Sequence, residues 1–328
     1  MKIVALDGYA CTAEDLSFDR FRDFGEVTVY DKTEPADIIA RIGDAEAVIT
    51  NKCPITEEVL TACSHVRYIG VTATGYNIID IPACERHGVT VCNVPAYSTK
   101  AVAQQVFAYI LHVYNKVQRH DERVKRGEWS ACPHFCFYEP GLHELDGKTI
   151  GLIGFGNIAK QVAKLAAAFD MQVLVHTRTI RQADQQAFPQ VRFVGLEELF
   201  RASDIVSVHC PLTEQTNGLV NQQTLGWMKP SAMLINTARG PVVQEDALAD
   251  ALNSGRLAYA CVDVVSVEPI RADNPLLTAK NILITPHTAW APVETRKRLL
   301  DVVYDNLKGY LNGQIQNNIT QIKGEGRP

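Results

Sequence analysis

The chain has 328 residues, 46% hydrophobic and 21% charged, which is apolar material for more than one core and exceeds the usual length of one domain. A formal charge of -5 without any block of like charge gives no electrostatic reason to expect nucleic acid or an anionic membrane as partner, and no apolar run approaches the roughly 20 residues of a membrane span. The nine cysteines are odd in number and several lie in apolar, strand-like stretches (Cys92, Cys210, Cys261), so reduced core thiols in a cytoplasmic protein are expected rather than disulfides.

The N-terminal MKIVALDG enters a strand without the charged, apolar and small-residue succession of a secretion signal. Strands are expected at residues 2–6, 27–30, 47–50, 66–72 and 89–93, with helical spacing of apolar residues at Pro35 to Ile42 and Glu57 to Ala62. Ser98 to Arg126, free of Pro and Gly and ended by Gly127, predicts one long helix crossing between domains. The loop Cys132 to Tyr138 contains Cys132, His134 and Cys136, all of metal-ligating type. No second pair at finger-like spacing accompanies them, so the segment is read as packing and no metal is expected. A second series of six strands follows: TIGLIGF, QVLVHT, DIVSVHC, AMLINTA, LAYACVDVV and NILITPH. Helical spacing over Val293 to Leu311 predicts a last helix that returns to the first domain, and the polar tail after Asn312 is expected to be loosely held. Strands alternating with helices imply an α/β fold of two doubly wound parallel sheets, one domain comprising 1–97 plus 291–328 and the other 98–290.

The strand TIGLIGF ends in Gly154, Phe155, Gly156, Asn157, Ile158 and Ala159 and runs into the helix-favouring KQVAKLAAAF. That is the strand, glycine turn and helix of a Rossmann dinucleotide site: Gly154 for the turn, Gly156 for close approach of a pyrophosphate, and unpaired N–H groups at the helix start. The carboxylate expected about 20 positions later, which takes the ribose hydroxyls, is absent. Thr177 and Arg178 stand there instead, leaving NAD(P) as the cofactor class, with Arg178 pointing to NADP.

The segments at 71–99, 147–174, 208–216, 233–248, 263–269 and 281–291, in this order, resemble the D-isomer-specific 2-hydroxyacid dehydrogenase family, in particular its glycerate dehydrogenase (hydroxypyruvate reductase) branch. The resemblance covers about the whole chain. It implies a flavodoxin-like substrate domain, a Rossmann domain, a cleft between them and a homodimer through the cross-domain helix and the segment to about Leu145. The family's catalytic trio falls on Arg239, Glu268 and His287. By the same resemblance Thr74, Gly75, Arg239 and Trp290 bind substrate. Val102, Gly154, Gly156, Asn157, Ile158, Thr177, Arg178, His209, Cys210, Pro211, Thr237, Ala238, Asp263 and His287 line the cofactor. NAD is implied by the branch, against the local evidence of Arg178.

Each member of the trio also makes chemical sense alone, because each follows the carboxyl end of a predicted strand, where open parallel sheets bind ligands. Arg grips a carboxylate in two hydrogen bonds, His moves a proton near neutral pH, and a neighbouring Glu favours the charged ring and holds its orientation. The expected reaction is therefore reduction of a small 2-keto acid to its D-2-hydroxy acid, with hydroxypyruvate and D-glycerate the first choice. The alternatives are a broader, NADP-preferring glyoxylate/hydroxypyruvate reductase and, in another class, a cofactor-sensing corepressor.

Overall fold

The structure, a computed structural model, describes residues 1–321. The chain divides into two units: Met1–Ser98 together with the chain from Ala291, and Thr99–Trp290. Each has a parallel sheet with its own hydrophobic cluster.

In the first unit β1 (Lys2–Ala5), β2 (Glu26–Val29), β3 (Ala47–Thr50), β4 (Tyr68–Val71) and β5 (Thr90–Cys92) lie in the order β2-β1-β3-β4-β5, all parallel. This is the flavodoxin-like order. The inner strands β3 and β4 are buried at every residue, as expected for sheets covered on both faces, whereas β2 at the edge is largely exposed. Thr56 and Asp80 cap two covering helices, accepting from the amides of Val59 and Ala83. The helix Val293–Leu311 returns to this unit, and its Arg296 holds both carboxylate oxygens of Asp15 at 2.6 and 2.7 Å. The following segment is not loose as far as it is described. Asn318 bridges to Cys92, the Ile319 amide donates to the Val91 carbonyl at 2.9 Å, and Thr320 is buried. The edge of β5 offers unpaired backbone groups, and this stretch satisfies them. The remainder of the polar tail lies outside the described residues.

The second sheet has seven strands rather than six. They are β6 (Thr149–Ile153), β7 (Gln172–His176), β8 (Val191–Phe193), β9 (Ile205–Val208), β10 (Met233–Asn236), β11 (Tyr259–Val262) and β12 (Ile282–Ile284), in the parallel order β12-β11-β10-β9-β6-β7-β8. The extra strand, β8, is a three-residue edge strand with Arg192 exposed at its centre, so it carries no apolar run. The expected single helix over 98–126 is two, Thr99–Asn115 and Val117–Lys125, separated by Lys116 at φ +50°. The cause is burial: the first helix presents buried residues as far as Tyr114, while the second has none to hold it on the same axis. Among the described residues no helix is long and apolar enough to cross a membrane.

Candidate active site

The second sheet arranges the sequence-predicted residues along one edge, at the carboxyl ends of its strands. Across the sheet, the strand ends carry His287 after β12, Asp263 and Glu268 after β11, and Thr237, Ala238 and Arg239 after β10. His209, Cys210 and Pro211 follow β9, the glycine turn follows β6, and Thr177 and Arg178 follow β7. Strand order reverses between β9 and β6, the switch point at which such sheets open a crevice for ligands.

Around the trio, backbone packing fixes the loops. Asn236, buried at the end of β10, accepts from the Ala238 amide and donates to the Arg239 carbonyl, both at 3.0 Å, which shapes the turn presenting Arg239. Gly240 follows, and a Cβ there would lie only 2.0 Å from the Val265 carbonyl carbon, so glycine alone lets the Arg239 turn lie on the loop that carries Glu268. The Glu268 carboxylate accepts from the Val265 amide at 3.3 Å through one oxygen and meets His287 Nδ1 at 2.7 Å through the other. His287 Nε2 has no hydrogen bond among the described residues, and Arg239 is exposed with one guanidinium nitrogen donating to the Ala238 carbonyl at 2.7 Å. A cation, a proton carrier and its carboxylate partner thus stand at the ends of three adjacent strands. Asp263 is buried, which pushes its carboxyl pKa up against the opposing effect of its hydrogen bonds; it accepts from the amides of Thr288 and Ala289 at 2.8 and 2.9 Å. Trp290 follows, half-buried.

The other half of the edge fits a dinucleotide. Gly154 has φ +94°, and a Cβ there would lie 2.9 Å from backbone atoms of His209 and Cys210. A Cβ on Gly156 would meet nothing within 4 Å, and the helix Asn157–Ala168 that starts there has no side-chain cap, so its first amides face open space beside a backbone with no side chain. Asn157 is exposed and Ile158 half-buried at that turn, while Ala159 and Val102 are buried. Thr237 Oγ1 is buried without a hydrogen-bond partner, a polar atom that a ligand can satisfy. Removal of the His209 ring from water pushes its pKa down to about 4, so the ring is neutral, and Nε2 lies 2.9 Å from Ser207 Oγ. Thr177 is half-buried; Arg178 is exposed and without an ion-pair partner among the described residues.

Thr74 and Gly75 belong to the first unit, beyond β4. The Thr74 hydroxyl donates to the Val94 carbonyl and its own carbonyl accepts from Asn93 Nδ2, both at 2.8 Å, leaving the loop held from below. Sequence reasoning missed the shaping roles of Asn236 and Gly240. The signal available for both was their place within NTARG, directly after a buried strand. Among the described residues no group of three His, Cys, Asp or Glu is placed to hold a metal.

The family model described as "D-isomer specific 2-hydroxyacid dehydrogenase, NAD binding domain" matches residues 107–289. The chain is 43% identical to a hydroxypyruvate reductase of Blautia hydrogenotrophica, over 98% of this chain and 100% of the relative. It is 34% identical to a glycerate dehydrogenase of Methylorubrum extorquens, over 96% and 98%. Among solved structures it is similar to an acyclic imino acid reductase in complex with NADPH and D-Arg, at 30% identity and a TM-score of 0.82, over 97% and 100% of the two chains.

Proposed function

The chain belongs to the D-isomer-specific 2-hydroxyacid dehydrogenases, NAD(P)-dependent oxidoreductases of 2-keto acids, and we propose that its preferred pair is hydroxypyruvate and D-glycerate. The observation that carries this is the His287–Glu268 pair beside Arg239 in a chain 43% identical to a hydroxypyruvate reductase. In this reading Thr99–Trp290 is the dinucleotide-binding domain and the other unit the substrate domain.

Arg239 takes the substrate carboxylate in a two-pronged grip and polarises the adjacent keto group, with the Thr74–Gly75 backbone as the second carboxylate contact. When bound, the reduced nicotinamide supplies the hydride that reaches the keto carbon. His287 enters the step protonated, with Nδ1–H held by Glu268, and gives the Nε2 proton to the keto oxygen. One hydride and one proton complete the alcohol, and the ring is left neutral, keeping its remaining proton on Nδ1 as the donor to Glu268. Trp290 borders the substrate. Val102 lies beside the cofactor, Thr237, Ala238 and Asp263 serve its nicotinamide half, and His209, Cys210 and Pro211 its adenosine side. The turn at Gly154, Gly156, Asn157 and Ile158 receives the pyrophosphate.

NADPH is the preferred reductant in this reading. No carboxylate at the end of β7 repels a 2'-phosphate, and Arg178, exposed and in no ion pair among the described residues, can hold it. The enzyme acts as a cytoplasmic homodimer. The nine free thiols suit a reducing compartment, and Val117, Trp129, Phe135 and Tyr138 are each exposed apolar side chains of the kind a subunit contact covers.

The test is a matrix of initial rates with hydroxypyruvate, glyoxylate, pyruvate and 2-ketobutyrate against NADH and NADPH. Hydroxypyruvate is expected to give the highest kcat/KM, with glyoxylate second, and NADPH to match or exceed NADH. Arg178→Ala is expected to weaken NADPH by about tenfold more than NADH, the value of a charge-assisted contact. Equal efficiency with pyruvate removes the hydroxypyruvate assignment, and an equal loss on both cofactors makes Arg178 a surface cation.

A further inference from the structure

The loop that carries His287 is held in a conformation its own sequence disfavours. His287 has φ +56°, a left-handed backbone that costs a side-chain-bearing residue energy and persists only where the surroundings over-determine it. The restraint comes from Asp263. Its carbonyl accepts from the His287 amide at 2.8 Å, a donor shared with the Thr285 carbonyl at 2.9 Å, and its carboxylate ties down the next two amides, those of Thr288 and Ala289. Those bonds hold the backbone of the loop in place only while the carboxylate itself keeps one orientation.

That orientation is set from behind. Asp263 Oδ1 accepts a further hydrogen bond from the Thr285 hydroxyl, and the Thr285 oxygen is in turn hydrogen-bonded to the hydroxyl of Tyr109. Thr285 has one hydroxyl proton, and it is spent on the carboxylate, so Tyr109 is the donor in the outer bond. Tyr109 is buried and burial pushes its pKa up to about 12, which keeps that donor in place throughout the working range. By donating to Thr285, Tyr109 leaves the Thr285 proton with one orientation, toward Asp263, and hydrogen bonds arranged head to tail strengthen one another. Tyr109 lies on the helix Thr99–Asn115, which packs against the helix Asn157–Ala168 that begins at the glycine turn. Besides Thr285, the hydroxyl has the Gln105 side chain as a hydrogen-bonding neighbour on the same helix.

We infer that Tyr109 is a positioning residue for proton transfer: its hydroxyl acts through Thr285 on the Asp263 carboxylate, which fixes the backbone of the His287 loop. The inference rests on the reading of His287 as proton donor, and that reading is tested separately by His287→Ala.

The experiment compares Tyr109→Phe, Thr285→Val, Thr285→Ser and the Tyr109→Phe/Thr285→Val double variant in the full-length enzyme, using hydroxypyruvate and the reduced cofactor that the rate matrix prefers. Tyr109→Phe keeps the ring and removes the donor. It is expected to lower kcat by about tenfold to a hundredfold, the effect of a small misplacement of a catalytic group, while KM for the reduced cofactor changes less than about twofold. The isotope effect on kcat with cofactor deuterated at the transferred position is expected to rise or reach its limit, because the step that suffers is the chemical one. Thr285→Val is expected to behave like Tyr109→Phe, Thr285→Ser to keep most of kcat, and the double variant to be no slower than the worse single variant. Unchanged kcat in Tyr109→Phe, or losses in the double variant that multiply, overturns the inference. So does a fall in kcat matched by a rise in cofactor KM with no isotope effect. If His287→Ala keeps normal turnover, the proton-donor reading falls whatever the Tyr109 result; if His287→Ala is inactive and Tyr109→Phe is normal, only the positioning role falls.

Discussion

With Nδ1 engaged by Glu268 at 2.7 Å, the His287 ring has one nitrogen left, Nε2, to present to a ligand. In the proposed reading Glu268 acts on substrate through the ring, and this makes the pair testable by non-additivity. His287→Ala is expected to lower kcat by roughly a hundredfold to ten-thousandfold, the usual worth of a general acid. Glu268→Gln keeps the shape and one hydrogen-bonding group, removes the charge that favours the imidazolium, and is expected to lose less. The double variant is expected to be as slow as His287→Ala and no slower, since a carboxylate with no ring to hold has nothing left to contribute. Multiplicative losses measured in steady-state kinetics would give Glu268 a direct contact with substrate instead. At the neighbouring strand end, Arg239 depends on its backbone. Gly240 lies so close to Val265 that any side chain there must push apart the loops bearing Arg239 and Glu268.

Asp204 shows how a single carboxylate joins elements of the second sheet. Standing before β9, it accepts from the Thr149 amide at the start of β6 at 2.9 Å and pairs with Lys229, in the turn before β10, at 2.8 Å. Burial works to raise its pKa, but the Lys229 pair and the Thr149 amide outweigh burial and hold it below the ordinary carboxylate value. A carboxyl depressed in the fold stabilises it above the unfolded-state pKa and ceases to do so as pH falls through the depressed value. Asp204→Asn is therefore expected to cost roughly 1 kcal/mol in urea unfolding at pH 7, because Lys229 is partly solvated, and the gap to wild type is expected to close below about pH 4. A gap independent of pH would assign the loss to packing. Elements of this kind were unequally legible in the sequence. Strands β3, β4, β6, β9 and β10 announce themselves because inner strands of a parallel sheet are buried on both faces and read as nearly continuous apolar runs. The helix Val293–Leu311 is legible from its apolar spacing alone. Edge strand β8, with Arg192 at its centre, has no such run, and the break at Lys116 is set by where burial stops rather than by a local breaker. In the site, the glycine turn and the trio lie in local motifs. The Tyr109–Thr285 contact joins residues 176 apart, and nothing near either one signals it.

The two units differ in how the chain builds them, and this decides what each can do alone. Thr99–Trp290 is continuous, and both of its hydrophobic clusters draw only on its own residues. The other unit is split: the helix Val293–Leu311 buries Leu299, Val303 and Leu307 in it, with Val303 3.5 Å from where a Cβ on Gly70 would stand and the Tyr310 ring 5.1 Å from that of Tyr68. Arg296, itself buried, adds its two-pronged pair with the exposed Asp15, and Arg298 donates to the Tyr97 carbonyl at 2.7 Å. Each fully buried aliphatic side chain contributes roughly 1.5–3 kcal/mol, so three of them approach the whole stability of a domain, about 5–15 kcal/mol. Residues 1–98 expressed alone are therefore expected to lack a cooperative thermal transition by circular dichroism and to aggregate through the bared face of β4. Joining residue 98 to residues 291–321 through a short Gly/Ser linker is expected to restore a cooperative transition, because Arg298 places the start of the helix beside Tyr97. Residues 99–290 are expected to melt cooperatively without the rest and to bind reduced cofactor, read by quenching of tryptophan fluorescence, and to turn over no keto acid if Thr74 and Gly75 bind substrate as proposed. A cooperative transition in 1–98 alone would show that the returning helix is an accessory to the first sheet rather than half of its core.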